Sequence, residues 1–82
     1  MKSSTMTPLL EFPIGQRARV ASLDGGCNCA SRLRSMGVTV GSELELVKRN
    51  NWGPVLIAVG GTRLAIGRGM ARQIHVTPLQ QD

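Results

Sequence analysis

Residues 55–66 have the sequence VLIAVGGTRLAI, which is the pattern of a β-hairpin. The first run, Val55–Val59, is entirely aliphatic, as in a strand that is covered on both faces. Gly60-Gly61 is a two-residue hairpin turn of the primed type. The second run, Thr62–Ile66, alternates between apolar and polar residues and places Arg63 on the outer face. We therefore predict two antiparallel strands joined by a tight turn.

Three further segments alternate in the way that strands do. The segment Arg17–Leu23 changes phase near Ala21, which a β-bulge would explain. Residues 42–49 alternate regularly and place two leucines on one face. Residues 50–54 are rich in turn formers and predict a loop, and residues 74–76 predict a short last strand. The sequence thus predicts five strands in total.

One clear helix is predicted between the first two strands. Asn28 is a suitable N-cap, and Gly37 is the glycine expected just after the last helical turn. The apolar residues between them recur on one face, at Ala30, Leu33 and Met36. Thr7-Pro8 predicts the start of one further helical turn near the beginning of the chain.

The length and composition of the chain restrict the fold to one small domain. It has 82 residues, 41% of them hydrophobic, and its only aromatic residues are Phe12 and Trp52. The core must therefore be aliphatic, and the chain is too short for a TIM barrel or a Rossmann enzyme. Five short strands with tight turns favour a small, nearly closed barrel with one short helix. We expect this domain to span residues 8–77, with flexible tails at residues 1–7 and 78–82.

The order and spacing of several segments resemble a known family. The most specific segment is RLRSMGVTVG at residues 32–41. The others are Leu9-x-x-Phe12-x-x-Gly15, Ala18-Arg19-Val20, Gly53-Pro54-Val55, Leu64-Ala65-Ile66 and Ala71-x-x-Ile74-x-Val76. Together they resemble the FeoA family, small cytosolic proteins of bacterial ferrous iron uptake, over about residues 9–76.

The resemblance implies a fold and a role. The implied fold is an SH3-like barrel, which also occurs as the C-terminal domain of DtxR-like, iron-dependent repressors. No helix-turn-helix region precedes the domain here, so we do not expect a complete repressor. The implied role is that of an accessory protein to FeoB, a membrane Fe(II) transporter with a cytosolic G domain. The segment Cys27-Asn28-Cys29 departs from the commoner family pattern, so the resemblance implies no role for it.

Cys27 and Cys29 are the candidate metal ligands. Two thiolates could hold Fe(II) or Zn(II), and we expect no other cofactor. The spacing C-x-C is shorter than that of most zinc sites, and two ligands do not complete a tetrahedral site. A second copy of the chain could supply two more, which leaves an oligomer open. The favoured alternative is a pair of reduced structural thiols.

Charge and one aromatic residue indicate where a partner would bind. The net charge is +5, and eight of the ten basic residues are arginines, which suit carboxylates and phosphates. Trp52 at a loop tip could be an interface anchor, or it could pack over one end of the barrel. The other candidate contacts are arginines, which alternatively form a solvated face: Arg32, Arg34, Arg68 and Arg72.

Two functions of other classes stay open beside the accessory role. A basic barrel that binds nucleic acid fits the charge, but the scarcity of aromatic residues opposes it, so no nucleic-acid partner is expected. A metal-sensing module would use the two thiols. Catalysis is not expected because His75 is the sole histidine, is predicted to be exposed on the last strand, and joins no triad.

The sequence predicts a cytoplasmic protein. Residues 1–7 are polar and lack the apolar stretch of a signal peptide. The longest aliphatic run, Val55–Val59, has five residues, whereas a membrane-spanning helix needs about 20. We therefore expect no membrane insertion.

Overall fold

The computed structural model describes residues 6–24, 26–50 and 52–79, without the side chain of Cys27. It contains one antiparallel sheet in the spatial order β1-β6-β2-β3-β4-β5. The strands are β1 (Thr7–Pro8), β2 (Arg17–Leu23), β3 (Glu43–Lys48), β4 (Val55–Val59), β5 (Thr62–Ile66) and β6 (Ile74–Pro78). The helices are a 3-10 turn (Leu9–Glu11), α1 (Gly26–Ser35) and α2 (Arg68–Ala71).

The predicted hairpin is confirmed as β4 and β5. Val59 pairs with Thr62, and Val55 pairs with Ile66, so the two strands stay in register over their full length. The φ angles of Gly60 and Gly61 are +57° and +85°, which are those of the primed turn of type I′. This turn matches the twist of the two strands and fixes which residues of β5 face the core.

The predicted bulge in β2 is confirmed. Val20 pairs with Val76 and Ser22 pairs with His75, so Ala21 has no partner of its own on β6. The extra residue bends β2, whose residues from Arg17 to Arg19 also pair with β3. A strand that pairs on both sides in this way holds the two parts of the sheet together.

The structure corrects the predicted start of α1 and confirms its end. The helix begins at Gly26, where a φ of +83° turns the chain into it, so Asn28 lies within the first turn and is not the N-cap. At the other end, Gly37 has a φ of +91°, and the Val38 amide donates to the Leu33 carbonyl at 2.8 Å. The Gly37 amide donates to the Arg34 carbonyl at 2.9 Å. These two bonds form a Schellman motif, as the glycine predicted.

The prediction that a helical turn starts at Thr7-Pro8 is wrong. These two residues form β1, in which Thr7 pairs with Val76 and Pro8 pairs with His75. Pro8 has a ψ of 138°, which is extended, and the helical turn begins only at Leu9. Within the described residues, the sheet therefore has six strands rather than the five predicted.

The core is aliphatic, as predicted, and Phe12 is the aromatic residue within it. Leu44 and Leu46 both face inward from β3, in agreement with the sequence pattern. No polar or charged side chain among the described residues is fully buried. The other fully enclosed residues come from nearly every element: Leu9, Ala18, Val20, Leu33, Val38, Val55, Ile57, Ile66, Ala71, Ile74 and Val76.

Candidate functional site

Trp52 projects into solvent from the loop between β3 and β4. We call residues 50–54 the Trp52 loop; Asn51 lies outside the described residues. Trp52 is 92% exposed, so the alternative prediction that it packs over the barrel end is wrong. An exposed indole adds little to the stability of the folded chain, because burial is what makes apolar surface stabilising. Its large apolar surface is therefore available to a partner.

The side chain of Asn50 holds the backbone of the Trp52 loop. The Asn50 side-chain oxygen accepts a hydrogen bond from the Trp52 amide at 3.1 Å and another from the Gly53 amide. This is an Asx turn, in which an asparagine replaces a backbone carbonyl. The backbone that carries the indole is therefore ordered before any partner arrives, which lowers the entropic cost of binding.

Two arginines hold this loop and the residue before it on the barrel. Arg68, in the first turn of α2, donates from Nη1 to the Asn50 carbonyl at 2.7 Å. Arg49 donates from Nη1 to the Leu10 carbonyl at 3.0 Å and to the Phe12 carbonyl at 2.7 Å. Arg49 therefore ties the end of β3 to the 3-10 turn. The sequence did not predict this role, because Arg49 is 39 residues from Leu10 and 37 residues from Phe12 along the chain.

The four arginines predicted as partner contacts do not share one hydrogen-bonded site. Arg68 is half-buried and bonded to the Trp52 loop, and Arg72 is exposed just after α2. Arg32 and Arg34 are exposed on α1, and within residues 26–50 and 52–79 no hydrogen bond or ion pair links either of them to the loop. The contacts thus associate Arg68 with the Trp52 loop, and a binding role for all four arginines stays a prediction.

The thiol hypothesis also stays a prediction. Cys29 lies on α1, half-buried, and packs against the core. The side chain of Cys27 lies outside the described residues. Elsewhere in the described chain, no three side chains of His, Cys, Asp or Glu gather as metal ligands would.

His75 is more enclosed than its strand position predicted. Its side chain is only 23% exposed, and its Nδ1 atom lies 3.3 Å from an Asp24 carboxylate oxygen, without the alignment of a hydrogen bond. The unexpected strand β1 is the reason, because Pro8 lies beside His75 on one side and Ser22 lies beside it on the other. The prediction of an exposed histidine is therefore wrong.

The outer face of β2 and β3 carries paired charges. Arg19 binds Glu43 at 2.9 Å and Arg17 lies 3.5 Å from the same carboxylate. Beside them is an open depression of about 170 Å³, which also reaches Glu45 and the Gly60-Gly61 turn. Pockets that enclose small ligands usually measure about 300–1,000 Å³, so this depression is too small to enclose a typical substrate.

None of the helices formed by the described residues has the length and apolar character needed to cross a membrane.

Comparisons with known sequences connect this chain to iron transport proteins. A family model described as the FeoA domain matches residues 7–78. A protein of Methanocaldococcus jannaschii, described as a putative Fe(2+) transport protein A, is 42% identical over 71 residues. The match covers 87% of this chain and 85% of that relative.

Comparisons with solved structures agree with this match. The crystal structure of an iron uptake regulatory protein, FeoA, has a TM-score of 0.85 and 37% identity, and covers 92% of this chain and 100% of that one. A manganese-dependent transcriptional repressor has a TM-score of 0.86 at 20% identity, over 95% of this chain and 44% of the repressor. At that identity the likeness shows the fold alone. The predicted SH3-like fold is thereby confirmed.

Proposed function

Because this chain belongs to the FeoA domain family, we propose that it assists Fe(II) uptake by binding the cytosolic part of the membrane transporter FeoB. It works in the cytosol as an accessory protein and catalyses no reaction of its own. It changes transport by binding one conformation of the transporter more tightly than another, since a ligand shifts an equilibrium only through such a difference in affinity.

The observation that carries this proposal is the exposed indole of Trp52, on a loop whose backbone is preorganised. Tryptophan is enriched among the residues that dominate protein interfaces, and here the surrounding backbone is already fixed by Asn50. Arg68 donates to the Asn50 carbonyl at the base of the same loop and adds positive charge there. The surface therefore suits a partner with an apolar pocket and acidic residues at its rim.

The net charge of +5 supports the same kind of partner. Opposite charges on two proteins speed their association and favour the correct orientation more than they raise affinity. In this proposal Arg32, Arg34 and Arg72, which are all exposed, steer the encounter, while Trp52 supplies most of the binding energy.

Calorimetric titration against the isolated cytosolic domain of FeoB, with and without GTP, tests the proposal. We expect binding in at least one nucleotide state, and we expect Trp52→Ala to weaken it about thirtyfold, the equivalent of roughly 2 kcal/mol for an interface anchor. Val40→Ala is a matched control, because Val40 is also a large apolar residue that is exposed, at 61%. It should leave the affinity unchanged.

Two outcomes would count against this proposal. If no binding occurs in either nucleotide state, the partnership is wrong. If binding occurs but the two variants weaken it equally, the Trp52 loop is not the contact surface.

The nucleic-acid alternative is weaker than the charge alone indicated. Proteins that bind single-stranded nucleic acid stack successive bases on several aromatic side chains. The chain has two aromatic residues, and Phe12 is buried in the core. Trp52 alone could stack one base, so tight and strongly salt-dependent binding to random oligonucleotides is the result that would revive this function.

A further inference from the structure

Strand β5 is an edge strand of the sheet, and it is longer and more regular than the opposite edge. All five of its residues pair with β4 without a bulge. The opposite edge, β1, has only two residues and includes Pro8, which has no amide hydrogen to donate. Short length and proline both discourage pairing with another chain, and β5 has neither.

The hairpin geometry determines which groups of β5 face outward. A two-residue turn makes its flanking residues, Val59 and Thr62, a hydrogen-bonded pair. Pairs alternate along an antiparallel ladder, so Leu64 and Ile66 also bond to β4. The N–H and C=O groups of Arg63 and Ala65 therefore point away from the sheet. Among the described residues, no turn, loop or cap hydrogen bond of the backbone involves either of them.

The side chains along this edge also leave room for another strand. Arg63 and Ala65 are exposed on the outer face, and Leu64 is only half-buried on the inner face. A strand added beside β5 would cover Leu64 and complete the hydrogen bonds of Arg63 and Ala65. This is the β-strand addition by which many proteins capture extended segments.

The charge of Arg63 indicates the chemistry of the added strand. The ion pairs within the described residues involve Arg17, Arg19 and His75, and none involves Arg63. The nearest carboxylate in its row is that of Glu45, on the far side of Ala58, two strand spacings or about 10 Å away. A residue of the added strand directly opposite Arg63 would be only about 5 Å away.

We infer that the free edge of β5 is a docking site for an extended segment of another protein that carries an acidic residue opposite Arg63. The segment adds as an antiparallel strand, with a β-branched or aliphatic residue over Leu64. The site does not include Trp52, so the inference does not depend on the proposed binding to FeoB.

Amide exchange and chemical shifts, measured by NMR with a synthetic peptide, test this inference. The probe is a capped heptapeptide of valine and threonine with a central glutamate, and the comparison peptide has lysine in place of that glutamate. Without peptide, the Arg63 and Ala65 amides should exchange faster than those of Leu64 and Ile66. The peptide with the central glutamate, at millimolar concentration, should slow hydrogen exchange at the Arg63 and Ala65 amides and shift their NMR signals.

Two variants separate strand addition from other modes of binding. Ala65→Pro removes an outward amide but no bond to β4, so the chain should stay folded and lose peptide binding at least tenfold. Arg63→Glu should weaken binding of the glutamate peptide about fivefold and strengthen binding of the lysine peptide. Trp52→Ala should leave the binding of both peptides unchanged.

Three results would overturn the inference. The first is the absence of peptide-induced protection at Arg63 and Ala65 at millimolar concentration. The second is equal binding of the two peptides. The third is protection of these amides that rises with protein concentration alone, since that would make a second copy of this chain the occupant.

Discussion

Replacing Arg49 with methionine tests how the first segment of the chain is held on the barrel. The guanidinium donates to two carbonyls, at 3.0 Å and 2.7 Å, and methionine keeps much of the apolar stem while removing both bonds. A hydrogen bond from a charged group contributes about 1.5–3 kcal/mol when well shielded, and this side chain is only half-buried. We therefore expect the free energy of unfolding to fall by about 2–3 kcal/mol for the pair.

For a chain of this size, that loss corresponds to a fall of about 10–20 °C in melting temperature, which calorimetry or circular dichroism would measure. Hydrogen exchange should rise most in the 3-10 turn, Leu9–Glu11, and in the Trp52 loop. Arg49→Lys is the matched control: an ammonium is a compact point donor that cannot span both carbonyls as well, so about half of the loss should remain. A change of less than about 0.5 kcal/mol for Arg49→Met would refute the reasoning, because that is the range of ordinary surface substitutions.

Three other predictions concern Gly37 and the two cysteines. Gly37→Ala should cost about 1–2 kcal/mol, because the φ of +91° is left-handed while nothing lies within 4 Å of an added Cβ; chemical denaturation would measure this cost. Gly67→Ala is its control, with equal space and an ordinary φ of −60°, and an equal loss at both positions would contradict the conformational argument. Cys29→Ser should lower the free energy of unfolding by about 1 kcal/mol, because this half-buried side chain packs against the core. Titration with Zn(II) and Fe(II) of the Cys27→Ser, Cys29→Ser double variant tests the thiolate site, and metal uptake equal to that of the parent chain would rule that site out.

The elements that the sequence predicted correctly depend on local signals. In the β4–β5 hairpin, five aliphatic residues and two glycines leave little choice of conformation. The phase change near Ala21 predicted the bulge, since strand alternation has a period of two and one extra residue must break it. The end of α1 at Gly37 follows from the tolerance of glycine for left-handed angles.

The features that the sequence did not reveal depend on contacts between distant residues. Strand β1 is two residues long, too short to show alternation, and it exists because β6 offers it a partner. The same pairing encloses His75, which is why its exposure was predicted wrongly. Nothing in the sequence distinguished Arg49 from the other seven arginines, because the Phe12 carbonyl comes near its guanidinium only in the folded chain.

The candidate site was predicted in part. Trp52 was expected at a loop tip because turn-forming residues surround it, and the structure confirms its position and its exposure. The association of Arg68 with that loop follows from the register of the hairpin, since Val55 pairs with Ile66 and α2 begins two residues later. The sequence predicted this hairpin, but the interpretation did not extend its register to Arg68, so Arg68 was not distinguished from Arg32 or Arg34.

The pairing of Thr7 with Val76 means that the strands could be connected in another order along the chain. Because the first and last strands are neighbours, a linker of a few residues could join them, and the chain could then be opened at the Gly60-Gly61 turn. Such a circular permutant would begin with β5 and end with β4, yet every strand would keep its neighbours. The same adjacency would let this barrel be inserted whole into a loop of a larger protein, with its entry and exit side by side.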